Sequence, residues 1–356
     1  MASLAIPLAV WKSSFEFDHS CYLNLPKEHA IIVGLNSGLI VKVEYDDPPL
    51  KHARISMVLS GHYNPITEII NGKTAVDQED NGTIILTLDR VGELSVWNAG
   101  DGRCMLHNAT AFEGEAKGIC TTTNGQYIII YGYGSAVNIL KTNTLDLVQS
   151  ITLAAQTWIS RAQIIAHNDN GLTDVVLFPI DGKLIYTFIL DETTGYVANE
   201  IHPMSIRFAK SSTPSPCIGG SLIRWSIALQ DGNIAFANST TCWHGKLDLE
   251  KNLIVDCIWN DPLDRITEVC KHGDCSLLIR AKSGNLISIT PSLGKHDNIK
   301  SPILRRDNVL LIPPSGVDKG PIMILGLDSD KDKDKELTKM DNCLINLDFS
   351  FPGNYY

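Results

Sequence analysis

The chain has 356 residues and a formal net charge of −10, long enough for two ordinary domains or one large all-β domain. Its composition, 44% hydrophobic and 20% charged, is that of a packed globular protein and excludes wholesale disorder. The acidic balance, with a pI of about 5.4 and no cluster of Lys and Arg, points away from nucleic acid, whose phosphates such clusters neutralise.

The first residues, "MASLAIPLAVWKSS", have no basic residue before the apolar run and no small-residue cleavage site after it. They read as a strand rather than a signal peptide. No apolar run approaches the ~20 residues that cross a bilayer, so membrane contact is expected only through a partner. Helical periodicity is nearly absent, while alternating and continuous β-branched runs recur along the whole chain. In chain order, "HAIIVGLNSGLIVKVEY" (His29 to Tyr45) reads as strand, turn, strand, and "GTIILTLDRVGELSVWNAGDGRC" (Gly82 to Cys104) repeats that shape. The same shape returns at Gly125 to Ile151, Asp174 to Val197, Trp225 to Ser239 and Cys275 to Thr290. Near the end, "DSDKDKDKELTK" (Asp328 to Lys339) alternates charge with no apolar period, and "CLINLDFSFPGNYY" after it alternates partly like a strand.

The turns "NSG", "RVG", "IDG", "QDG" and "KSG" place Gly at the corner, where a positive φ costs it nothing. They recur at intervals of about 40–55 residues, a period that for β-units indicates propeller blades of four strands each. Each hairpin is then expected to be the inner pair of strands of a blade. The expected fold is an all-β, WD-repeat-like propeller over residues 1–327 with about six recognisable blades, and a seventh or an incomplete ring left open. A charged loop or linker is expected over 328–340. A closing strand or a continuation is expected over 341–356.

Gly61-His62 in "LSGHYNPITEI" precedes, by about thirty residues, a strand ending in Trp97-Asn98. This pattern resembles a WD-repeat, in which His, a turn Asp, a Ser or Thr and the Trp share a hydrogen-bonded network. The match departs from the pattern in two places. Asp89 lies two residues before the usual turn acid, where Val91 stands, and the terminal acid is replaced by Asn98. Elsewhere Ile139-Leu140 or Thr187-Phe188 stand near the tryptophan position.

Four ordered segments, "SLAIPLAVW", "LSGHYNPIT", "VGELSVWNAGDGRC" and "LVQSITLAAQTWISRAQII", together resemble the N-terminal propeller of the rabconnectin-3 beta family of WD-repeat proteins, best from Ser3 to about Leu190. The resemblance implies a scaffold that acts with a rabconnectin-3 alpha-like protein on subunits of the vacuolar-type proton ATPase and supports organelle acidification. It implies a cytoplasmic protein that is peripheral on vesicle or vacuole membranes through its partners. Family members also carry a second propeller and helical stretches, so the chain would correspond to their first propeller.

Catalytic markers are missing: no G-x-S-x-G, H-E-x-x-H, P-loop or G-x-G-x-x-G occurs. No enzyme activity and no cofactor are expected. "YGYGS" (Tyr131 to Ser135) reads as a hairpin turn, and His62 as a structural hydrogen-bonding group. Cys242, His244, Cys270 and Cys275 have zinc-ligand chemistry, but without a C-x-x-C they read as buried thiols. Nine scattered cysteines fit a reduced compartment, in which the sequons at Asn81, Asn108 and Asn238 go unglycosylated. Two rival readings remain: a WD-repeat adaptor in trafficking or ubiquitin ligation, and a propeller enzyme. The enzyme reading would be favoured by acids, His or Arg lining the central channel.

Overall fold

In the computed structural model every hairpin expected from the sequence forms. The structure describes residues 19–347 apart from 26–27, 46–52, 73–82, 135, 154–156, 167–170, 182–183, 200, 205, 209–221, 230–231, 248–251, 273–274, 292–294, 301–308, 313–321 and 327–343. The expected N-terminal strand and the charged segment 328–340 lie outside the described residues. Among the described residues no helix is long and apolar enough to cross a membrane.

The first sheet is β1 (His19–Leu25), β2 (Ala30–Leu35), β3 (Ile40–Tyr45) and β4 (Ala53–Leu59). The second is β5 (Ile66–Gly72), β6 (Ile84–Asp89), β7 (Leu94–Asn98) and β8 (Cys104–Asn108). The third is β9 (Gly114–Thr121), β10 (Tyr127–Gly134), β11 (Val137–Lys141) and β12 (Leu147–Ile151). The fourth is β13 (Ile159–Ala166), β14 (Leu172–Pro179), β15 (Ile185–Asp191) and β16 (His202–Met204).

The fifth sheet has five strands. β17 (Ile206–Phe208) pairs parallel with β21 (Leu253–Asn260), beyond β18 (Trp225–Ala228), β19 (Asn233–Ala237) and β20 (Thr241–Leu247). The sixth is β22 (Ile266–Lys271), β23 (Leu277–Ala281), β24 (Asn285–Thr290) and β25 (Lys295–Lys300). A smaller antiparallel sheet follows, made of β26 (Val309–Ile312), β27 (Ile322–Gly326) and β28 (Leu344–Leu347). Within 341–356, β28 pairs with β27.

Strands β1, β5, β9, β13, β18 and β22 neighbour one another in that order. All six line one central cavity of about 690 Å³. Among the described residues the architecture is therefore an all-β propeller arrangement of six blades, each contributing its innermost strand to the channel wall. The expectation that each hairpin is the inner pair of a blade needs correction. In the second sheet the hairpin is β6–β7, the second and third strands, with β5 inside it; only the hairpin at Trp225 to Ser239, β18–β19, includes the innermost strand.

The middle strands carry the core. Along β6, Ile84, Leu86 and Leu88 pack toward Ile128, Ile130 and Leu140 of the third sheet. Ile85, on the opposite side, joins Ile32, Ile40 and Trp97 between the first two sheets. The pattern continues in β10, whose Ile129 and Tyr131 pack with Val175 and Leu177, and in β14, whose Val176 and Phe178 pack with Phe236 and Trp243. The core is thus a series of apolar slabs between adjacent sheets, as the two-residue period of a strand buried on both faces requires. Gly92 turns the β6–β7 hairpin at φ +92°, and a side chain there would run into the Phe112 carbonyl.

Candidate functional site

The WD-like signature of the second sheet assembles around Thr87. Trp97 Nε1 donates to Thr87 Oγ1 at 2.9 Å, and His62 Nε2 lies 2.8 Å from the same oxygen. His62 Nδ1 faces Asp89 Oδ2 at 3.6 Å, with both side chains fully buried. Asp89 ends β6, and its Oδ1 accepts the N–H groups of Val91 and Glu93 at 3.1 and 2.9 Å. The early position of Asp89 in the sequence therefore does not keep it from His62. A Cβ on Gly61 would stand 2.7 Å from the Trp97 ring, so glycine is what lets the indole pass beneath that loop. Asn98 turns away from the network and closes the next turn instead, accepting from the N–H groups of Gly100 and Asp101.

The channel is charged, as the enzyme reading required. Its charges are paired, most of them across sheet boundaries. Glu68 on β5 accepts from the Ile119 N–H at 2.8 Å and the Tyr131 hydroxyl at 3.3 Å, both in the third sheet. Arg161 on β13 donates to the carbonyls of Lys117, at 3.3 Å, and Arg224, at 2.6 Å, one sheet to either side. Arg280 pairs with Glu268 at 2.9 Å, and Glu268 accepts from the Tyr22 hydroxyl of the first sheet. Burial pushes the Glu68 carboxyl above its ordinary value against the pull of Arg161. It also raises the thiols of Cys120 and Cys270, which disfavours the thiolate a nucleophile needs.

The loop face is the end of the ring where each first strand begins and where the second and third strands join. Backbone bonds from Arg90 N–H to Pro65 O and from Ile180 N–H to Trp158 O, each 2.9 Å, tie these two sets of loops together. Nine large apolar side chains are exposed among the described residues, and five of them, Tyr63, Val91, Trp158, Leu184 and Leu263, stand on this face. Tyr63 is 91% and Leu263 97% exposed. Trp158 stacks on Tyr133 at 5.4 Å, and Lys117 Nζ sits 4.3 Å from the same Tyr133 ring. These side chains give the loop face exposed aromatic and aliphatic surface.

Sequence spacing suggested Cys242, His244, Cys270 and Cys275 as ligand types, yet the structure does not gather them. Cys242 is buried within β20 and Cys275 is exposed beyond β22. Among the described residues, the one set of three His, Cys or acidic groups whose ligand atoms all lie within 4.8 Å of one another is His62, Asp89 and Glu93. Sequence reasoning also missed Trp243, fully buried on the third strand of the fifth sheet and stacked on Phe236 at 5.6 Å. No Gly-His pair precedes it to signal the repeat.

No protein-family model matches this chain, and no curated protein matches it. Among solved structures, it is similar to the β-propeller domain of Cps50 (Swd1) from Myceliophteria thermophila. The TM-score is 0.60 at 10% identity, covering 88% of this chain and 96% of that one. The likeness is one of fold.

Proposed function

We propose that the protein is a non-enzymatic interaction scaffold of the rabconnectin-3 beta type. It would act on the cytoplasmic side of vesicle or vacuole membranes, with an alpha-like partner and subunits of the vacuolar-type proton ATPase, in support of acidification. The observation that carries the scaffold reading is the gathering of Tyr63, Val91, Trp158, Leu184 and Leu263 on one face. Apolar and aromatic anchors rimmed by polar loops are what protein interfaces bury at their centre. The paired state of Glu68, Arg161, Glu268 and Arg280 supports the absence of catalysis, because Glu68, Arg161 and Glu268 hold neighbouring sheets together and Arg280 neutralises Glu268. The choice of partners rests on the four ordered segments that resemble the rabconnectin family.

Affinity capture of the tagged chain from cells tests this reading, with the captured proteins identified by mass spectrometry. Recovery of the alpha-like partner or of proton-pump subunits supports it. If the soluble, folded chain recovers neither, and loss of the gene leaves organelle pH unchanged, the acidification role is overturned and the adaptor reading replaces it.

A further inference from the structure

We propose that the outer edge of β21 is a strand-addition site for an extended segment of a partner protein, apolar at alternate positions, which lies parallel to β21 in the place that β17 holds. This edge is separate from the loop face, so the inference stands apart from the docking surface of the scaffold reading. The fifth sheet shows the mode of binding within one chain. β17 arrives from between the fourth and fifth blades and pairs in parallel, with Ile206, Arg207 and Phe208 opposite Leu253, Ile254 and Val255. Addition of a strand to a sheet edge, with main-chain bonds for affinity and alternate side chains for specificity, is a general mode of peptide recognition.

The register defines what the edge accepts. Paired residues share a face of the sheet, and successive residues point to opposite faces. Ile206 stands with Leu253, and both pack with Val255 in the slab between the fourth and fifth sheets. Phe208 is opposite the fully buried Val255, on that same side, yet remains 40% exposed. Arg207 falls on the other face beside Ile254, itself 40% exposed. The accepted pattern is apolar, any residue, apolar. Phe208 and Ile254 thus account for two of the exposed large apolar side chains that do not stand on the loop face.

β17 fills only part of the edge. β21 pairs regularly with β20 from Leu253 to Cys257, and a bulge at Ile258 ends that stretch. Among the described residues the outer pairing stops at Val255, so Asp256 and Cys257 offer two further positions to a longer strand. Sheets protect their edges from stray strands by shortness, charge or proline. The other outer strands follow this rule: β8 and β12 have five residues each, β16 has three and carries Pro203, β25 carries Lys295, Asp297 and Lys300, and β4 carries Arg54. β21 is the longest of them among the described residues, at eight. Its one charge, Asp256, lies beyond the covered stretch, opposite His244. A tethered β17 competes at an effective concentration in the millimolar range. It acts as a placeholder that excludes weak strands and gives way to one making the two further pairings.

The test is selection of random linear peptides, displayed on phage, on the folded full chain, followed by fluorescence anisotropy of the selected peptides and amide exchange of the complexes. The proposal predicts peptides apolar at alternate positions that slow exchange along β21. Their affinity should rise at least about tenfold in Phe208→Ser, which weakens the placeholder, and fall at least about tenfold in Ile254→Lys, which puts a charge on the edge. It should be unchanged in Leu263→Ser, with folding of every variant checked by circular dichroism. No enrichment on the folded natural and Phe208→Ser chains would overturn the proposal, as would equal affinity for folded Phe208→Ser, Ile254→Lys and the natural chain. Peptides that protect the loop face and are lost in Leu263→Ser would overturn strand addition while supporting the scaffold surface.

Discussion

The hydroxyl of Tyr22, on the innermost strand of the first sheet, donates to Glu268 on the innermost strand of the sixth. This bond joins the two ends of the ring. Burial, and next the Glu268 charge, raise the Tyr22 hydroxyl well above its ordinary pKa, so it stays a donor across the physiological range. Tyr22→Phe is expected to cost about 1.5–3 kcal/mol, the usual worth of a hydrogen bond to a charged group. The loss should appear as a lower urea midpoint and faster amide exchange in β1 and β22 together. Exchange that rises in neither strand would show that the ring is closed elsewhere.

Trp97→Ala empties a buried aromatic position between the first two sheets and is expected to cost about 3–5 kcal/mol. Trp97→Phe keeps most of the apolar volume but removes the N–H from Thr87, and should cost about 1 kcal/mol beyond the lost packing. Gly61→Ala pushes a methyl against the locked indole, with an expected cost of about 1–3 kcal/mol. Equilibrium unfolding of the three variants checks the order; a neutral Gly61→Ala would mean that the loop shifts freely.

Acid sensitivity follows from Asp89. Burial pushes its carboxyl up, but hydrogen bonds from His62 and the Glu93 N–H outweigh this and hold it below the ordinary value. A depressed acid stabilises the fold above its unfolded pKa of about 3.9, and that stability is lost as pH falls through the folded pKa. Asp89→Asn should therefore be less stable than the natural protein at neutral pH, and the two stability curves should converge toward pH 3. Urea midpoints measured across that range test it, and parallel curves would contradict it.

The hairpins were legible in the sequence because the middle strands are buried on both faces. Every residue of β6 and β7 is buried, and such strands appear as unbroken apolar runs. The strands on either side are not so plain: β8 mixes exposed with half-buried positions and β9 mixes buried with half-buried ones, so neither pattern stands out. This is why the sequence alone makes each hairpin look like the inner pair. The parallel addition of β17 to β21 has no local signal, because the two segments are far apart in the chain. The channel residues are hidden for the same reason: Glu68, Tyr131 and Arg161 meet only when three sheets are placed around one axis. Gly61, His62 and Trp97 were readable because the repeat fixes their spacing, and Thr87 was within that pattern but unmarked.

Thiol reactivity should follow burial. Cys275 and Cys104 are exposed, whereas Cys242 is buried and burial drives its thiol far above the ordinary value. Among the described cysteines, brief alkylation of the native protein should modify Cys275 first and leave Cys242 untouched until denaturant is added. Mass mapping of the labelled peptides reads the order, and early labelling of Cys242 would show that the fifth sheet opens in the native state.

The most direct test of the scaffold account compares the natural chain with a Trp158→Ala, Leu263→Ser double variant in the same affinity capture. Both side chains are exposed, Trp158 at 49% and Leu263 at 97%, and substitutions at such positions shift stability by only about 0.5 kcal/mol. Their loss from an interface centre costs about 2 kcal/mol or more each. The account predicts equal thermal midpoints for the two proteins, with the alpha-like partner or proton-pump subunits recovered by the natural chain and at least about tenfold depleted with the variant. Equal recovery by two equally stable proteins would contradict the claim that the loop face is the docking surface.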